Sequence, residues 1–169
     1  MDFIEYTRKW FEGEIFEDYA MVGAGVVMLV LTFAVLRFGA SDSDSARAIW
    51  IPMLLVALLH AAGGASLAIN NHHRLAQFEK QYQEQPIEQF VQSEKARVDG
   101  FMGIYPMTIV VAAILFVAGT CMFAFCPALW LRGTALVLIY LALSGLVIDY
   151  FSKDRALVYL QEINKFIGA

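Results

Sequence analysis

The chain has 169 residues, enough for one domain, and 59 % of them are hydrophobic against 17 % charged. A water-soluble globule carries nearer half apolar and a quarter charged residues, so that class is excluded. A net charge of −4 excludes a nucleic-acid binder, which needs a basic face, and two cysteines cannot build a disulfide framework.

The first 18 residues hold six acids (Asp2, Glu5, Glu12, Glu14, Glu17, Asp18) and only Arg8 and Lys9 as bases. A cleavable signal peptide opens with basic residues and a short apolar run, so the first span is expected to stay as an anchor. Phe3, Thr7, Trp10, Phe11 and Ile15 mark an apolar face before that span, less cleanly than elsewhere. Four stretches then have the length and apolarity to cross a bilayer: 19–38, 48–69, 104–125 and 128–148. About 20 residues at ~1.5 Å each cover a ~30 Å hydrocarbon core. In lipid every peptide N–H and C=O must be paired within the segment, which predicts helices. None of the four alternates in polarity as barrel strands do.

Between the second and third spans, residues 70–103 are polar but patterned. Leu75, Phe78 and Tyr82 prolong the second span at helical spacing. From Ile87, Phe90, Val91, Val98, Phe101, Met102 and Tyr105 form a second helical stripe, with Pro86 placed to open that helix. The segment reads as a helical hairpin turning at Gln85-Pro86. At the C-terminus, Leu157, Leu160, Ile163 and Ile167 mark one face of a helix over 152–168. If each polar helix continues its span, four helices run 2–38, 48–85, 86–126 and 128–168. Such near-equal rods predict an all-α, up-down-up-down four-helix bundle extended into the cytoplasm. The opposing turns are Gly39–Arg47 and Cys126-Pro127. Gly13 or Gly100–Gly103 are the places where continuity would fail, and Pro106 should kink the third rod. The competing reading lays the N- and C-terminal segments flat on the membrane.

Orientation follows from Lys and Arg. Nine lie on the side of the termini and 70–103, and three (Arg37, Arg47, Arg132) on the other. The positive-inside rule therefore puts both termini in the cytoplasm of a cell whose inner (plasma) membrane holds the protein. Net charge runs the opposite way, but acids contribute little to orientation.

Few polar residues interrupt the spans. His60 lies near the bilayer centre, and His60, Gly64, Leu67, Asn71 and Arg74 share one helical face. No other span offers a histidine as a second haem ligand, so a neutral His60, bonded to Ser144, Tyr140 or Thr120, is favoured. Asp149 closes the fourth span at the level of Asn70–Arg74 and is expected to pair with a cation there. Glu94 falls on the apolar stripe of the hairpin, which predicts an ion pair with Arg97 or Arg74, or a docking point. Arg132 can snorkel outward. Cys121 and Cys126 stand about 140° apart on a helix and cannot easily bridge. Ala57, Ala61 and Ala65 make a small-residue ridge, beside Gly63 and Gly64, that suits close helix contact within the bundle or with a partner. Ala20, Gly23, Ala24 and Gly25 offer the same on the first span.

Phosphate-loop, zinc-protease and nucleophile-elbow motifs are missing, and Gly23-Ala24-Gly25 lacks the third glycine of a dinucleotide fingerprint because Met28 stands there. No cofactor is expected, and the only sure partner is the lipid bilayer. The leading expectation is a non-enzymatic binding module for another membrane protein or a second copy, as an accessory subunit or toxin-immunity protein. A subunit of a small-solute channel or transporter, lined by His60, Asn71 and Arg74, is the alternative. A membrane enzyme using His60 or the Asn70–Arg74/Asp149 cluster ranks third.

Overall fold

A computed structural model describes residues 3–39 and 43–168, and among them there is helix but no strand. Four rods of 37, 41, 39 and 40 residues are each long and apolar enough to cross a membrane. At ~1.5 Å per residue they measure roughly 56–62 Å, about twice the hydrocarbon thickness.

Helix α1 (Phe3–Ala34) passes through Gly13 unbroken and ends in a π-helical turn, Val35–Gly39. Helix α2 (Asp44–Glu84) begins earlier than the apolar pattern alone indicates. Ser43 explains this: its hydroxyl caps the new helix by accepting from the Ala46 N–H at 3.4 Å. Of the expected turn Gly39–Arg47, residues 40–42 lie outside the described residues. Pro52 sits inside α2 without ending it. Proline has no N–H for the carbonyl four residues back, that of Ala48. A Cβ at Gly133 would lie 2.9 Å from that oxygen, so α5 closes on α2 where the ladder is interrupted.

The third rod departs from the expected continuous helix. It consists of α3 (Ile87–Met102) and α4 (Tyr105–Phe125), separated at Gly103-Ile104. Pro106 is the reason: it falls in the first turn of α4, where a missing N–H costs nothing, and so starts a helix instead of kinking one. Pro86 likewise stands just outside α3, as its N-cap. Helix α5 (Leu129–Gly168) is uninterrupted.

Two packing regimes divide the molecule lengthwise. At the end holding the termini and the α2–α3 turn, large side chains interlock around Phe3, Trp10, Phe11, Phe78, Phe90, Val98, Tyr159 and Ile163. Phe90 alone stacks edge-on against Phe3, Phe78 and Tyr82. In the apolar half the buried positions are mostly Gly and Ala, among them Gly25, Ala57, Gly64, Ala112, Gly119, Gly133 and Ala135. No more than 28 % of any apolar window is buried. That is untenable in water and ordinary in lipid, where backbone approach, not apolar burial, holds helices together.

Contacts between α1 and α2 follow one antiparallel register. Arg8, Phe11, Asp18 and Gly25 of α1 meet Glu79, Phe78, Asn71 and Ala61 of α2. Helix α4 packs on α5 along Tyr105, Ala112 and Gly119, and makes no comparable contact with α1 or α2.

Candidate functional site

The densest polar assembly lies just before the first apolar span. Glu14 and Glu17 are three residues apart on α1, hence on one face, and Ser152 and Arg155 repeat that spacing on α5. The Arg155 guanidinium donates to Glu14 at 2.7 Å and to Glu17 at 2.6 Å. Gly13 makes room for it: a Cβ there would come within 2.8 Å of Arg155 Cδ and Nε. A carboxylate only accepts, so the Ser152 hydroxyl donates to Glu14 at 3.2 Å, and the Tyr105 phenol, 2.8 Å from Ser152, donates to it in turn. Three elements are thus tied through one carboxylate. Burial pushes the Glu14 carboxyl above its ordinary range, against the pull of Arg155 and with the help of Glu17. Asp18 is also raised, by burial first, although Asn71 donates to it at 2.7 Å.

Beside this network opens a vestibule of about 370 Å³, reached by Asn70, Asn71, Arg74 and Asp149 together. Asp149 and Arg74 share the cavity but form no ion pair with each other among the described residues, which corrects the expected pairing of Asp149 with a cation at that level. Arg155, one turn and a half further along α5, carries the cross-helix pairing, and it binds acids of α1. Among the described residues, three N–H groups sealed from solvent lack acceptors: Trp10 Nε1, Arg97 Nη1 and Arg155 Nε.

Glu94 is buried and takes three hydrogen bonds from Arg97, between 2.7 and 3.1 Å. Tyr159 donates to the same carboxylate at 3.1 Å, and the Thr7 hydroxyl, whose one proton is shared between the Phe3 carbonyl at 3.1 Å and the Tyr159 oxygen at 2.7 Å, holds the phenol in place. Burial and the Glu94 charge push the Tyr159 phenol up, which keeps it a donor. The guanidinium lies over the rings of Trp10, Phe11 and Phe101, with Trp10 nearest at 4.8 Å. Arg74 does not take part, although it borders a second cavity that Glu94 and Arg97 also line.

In the apolar half His60 is buried. Its Nδ1 lies 3.0 Å from the Val56 carbonyl, which can only accept, so Nδ1 carries the proton of the neutral ring. Nε2, left with its lone pair, faces the Ser144 hydroxyl at 3.1 Å, whose one proton is shared with the Leu141 carbonyl 3.0 Å away. Tyr140 stacks obliquely on the ring at 5.5 Å, whereas Thr120 bonds its own helix at Phe116. Of the ridge Ala57, Ala61 and Ala65, the first two face α1: a Cβ at Gly25 would lie 2.4 Å from Ala61 N and 2.9 Å from Ala57 O. Intramolecular packing occupies the ridge at Ala57 and Ala61. Neither cysteine is in a disulfide, and Arg132 donates to the Cys126 carbonyl at 2.9 Å.

The N-terminal acids entered the sequence reading only as charges. The signal that would have singled out Glu14 and Glu17 is their spacing beside Gly13, matched by Ser152 and Arg155 on the last helix. No family model, curated protein or solved structure matches this chain.

Proposed function

We propose that the chain is a non-enzymatic, multi-pass protein of the inner (plasma) membrane whose work is to bind another protein at its cytoplasmic end. In this reading the four rods run up, down, up and down. The shared register of α1 with α2 and the meeting of both chain ends support that topology. The polar halves then project into the cytoplasm as one aromatic-cored bundle.

One observation carries the binding role. At the far tip, a groove of about 200 Å³ between α3 and the end of α5 is lined by Ile87, Val91, Phe166 and Ile167 and rimmed by Glu88 and Gln92. Ile87, Phe166 and Ile167 remain 40, 41 and 45 % exposed. In lipid such exposure costs nothing. At a water-facing tip it is the mark of a contact surface, shaped for a short amphipathic helix of a partner. An accessory subunit or an immunity-type protein would use such a tip. A photo-crosslinking residue at Ile167 should give one discrete heavier adduct in native membranes, abolished by Ile87→Glu. Adducts confined to this chain, or unaffected by Ile87→Glu, would overturn the assignment.

A second reading, a channel or transporter subunit, draws on one feature. The vestibule of Arg74 and Asp149 shares Glu17, Met21 and Ile148 with the groove that reaches His60. Beyond His60 the close contacts of Gly25 with Ala61 and of Gly133 with Ala48 favour a closed end within one copy. This reading predicts faster proton entry into proteoliposomes for the protein than for His60→Ala, and equal rates would dismiss it.

A further inference from the structure

The rods leave a lateral groove of about 550 Å³ in the apolar half, between α1 and α5, with His60 of α2 at its floor. That volume falls within the range of small-molecule sites. Ala20, Met21 and Ala24 form one wall, and Leu143 and Val147 the other. Polar groups stand at two levels. The Glu17–Arg155 pair closes the end near the membrane surface, and His60, Ser144 and Tyr140 cluster deeper.

Tyr140 is the residue that needs an explanation. It lies two residues from the middle of the 128–148 span, about 3 Å from the bilayer centre. Tyrosines of membrane proteins usually sit at the interface, where water meets the phenol. From this depth the side chain cannot reach that water. His60 and Ser144 find partners in each other and in the Val56 and Leu141 carbonyls, but the Tyr140 hydroxyl has no hydrogen bond among the described residues, and packing does not seal it. An unpaired hydroxyl in hydrocarbon costs several kcal/mol. Glycerolipids keep their carbonyls near the interface, so ordinary lipid chains filling the groove offer this phenol nothing.

We infer that the groove between α1 and α5 binds a neutral, lipid-soluble carbonyl compound of the quinone type. Its ring lies against Tyr140 and His60, its carbonyl oxygen accepts from the Tyr140 hydroxyl, and its chain runs between α1 and α5. The apolar walls suit an aliphatic chain, and a flat ring matches the oblique Tyr140–His60 pair. The inference concerns binding and involves no bond breaking.

The test uses the full chain in nanodiscs and two probes of equal chain length, decylubiquinone and decylbenzene. Decylubiquinone should bind saturably and outcompete decylbenzene. Tyr140→Phe should weaken the quinone about tenfold, the equivalent of one hydrogen bond, and leave decylbenzene unchanged. Leu143→Trp, which fills the groove from a half-exposed wall position, should abolish both while the thermal transition is retained. Equal affinities for the two probes, or indifference to Tyr140→Phe, would overturn the carbonyl assignment. Indifference to Leu143→Trp would overturn the groove itself.

Discussion

An acid on an apolar helical stripe is an anomaly, and Glu94 resolves it by taking Arg97 with it into the core. The same bonding between exposed side chains, Lys95 to Asp99, is worth little, because water competes for both charges. Glu94 is different in kind: only 7 % of it is exposed, and its guanidinium partner rests on three aromatic rings. Removing the acid alone strands a cation in low dielectric. Glu94→Gln should therefore cost roughly 3 kcal/mol, and Asp99→Asn less than about 0.5 kcal/mol. Chemical unfolding in detergent measures both. Adding Arg97→Met to Glu94→Gln should recover much of the loss, since the stranded charge goes with it. Equal effects of Glu94→Gln and Asp99→Asn would mean that water reaches the Glu94 pair. Here the sequence was legible, because a charge that breaks a 3.6-residue pattern must find a partner within reach. Asp149 was not, because a carboxylate near an interface can be satisfied by water, and nothing forces a pair.

At the scale of elements, lipid removes the signal that makes packing readable in soluble proteins. The alanine ridge of α2 was visible as a surface for close approach, with packing inside this bundle favoured over a second copy or a partner, but which helix it meets was not. Geometry decides it: Gly25 of α1 stands against Ala61, where an added Cβ would meet backbone 2.4 Å away. Two residues earlier, Gly23 has nothing within 4 Å. The two glycines make a controlled pair. Gly25→Val should force α1 off α2 and cost about 1–3 kcal/mol by overpacking, whereas Gly23→Val should be near neutral or slightly favourable to helix formation. Resistance to unfolding as SDS is titrated into mild micelles reports the difference. Equal sensitivity would show that α1 does not rest on this ridge. The α3–α4 break was half legible for a related reason. Gly100, Gly103 and Pro106 marked the region, but a proline inside a helix and one in its first turn look identical until the start of the helix is known.

The whole molecule joins a half that water would fold to a half that lipid would hold, and its orientation is the premise on which the proposed binding role depends. The interlocked rings of Phe3, Phe78, Phe90 and Tyr159 lose their reason in hydrocarbon, where hiding them from solvent gains nothing. The small-residue contacts of the other half lose theirs in water. The boundary between the regimes falls at Glu14, Asp18, Asn71, Ser152 and Arg155, the level at which charged groups can still be paired and partly hydrated. If the rods alternate in direction, Gln85 and Ser45 lie on opposite sides of the membrane. In a background carrying Cys121→Ser and Cys126→Ser, a membrane-impermeant maleimide should label Ser45→Cys in intact cells. Gln85→Cys should be labelled only after permeabilisation, because positive-inside orientation keeps the nine-base side inward. Labelling of Gln85→Cys from outside would invert the molecule and place the Ile87–Phe166–Ile167 groove before extracellular partners. Labelling of both positions from outside would mean that α2 does not cross the bilayer, and the two-regime account of its packing would fail with it.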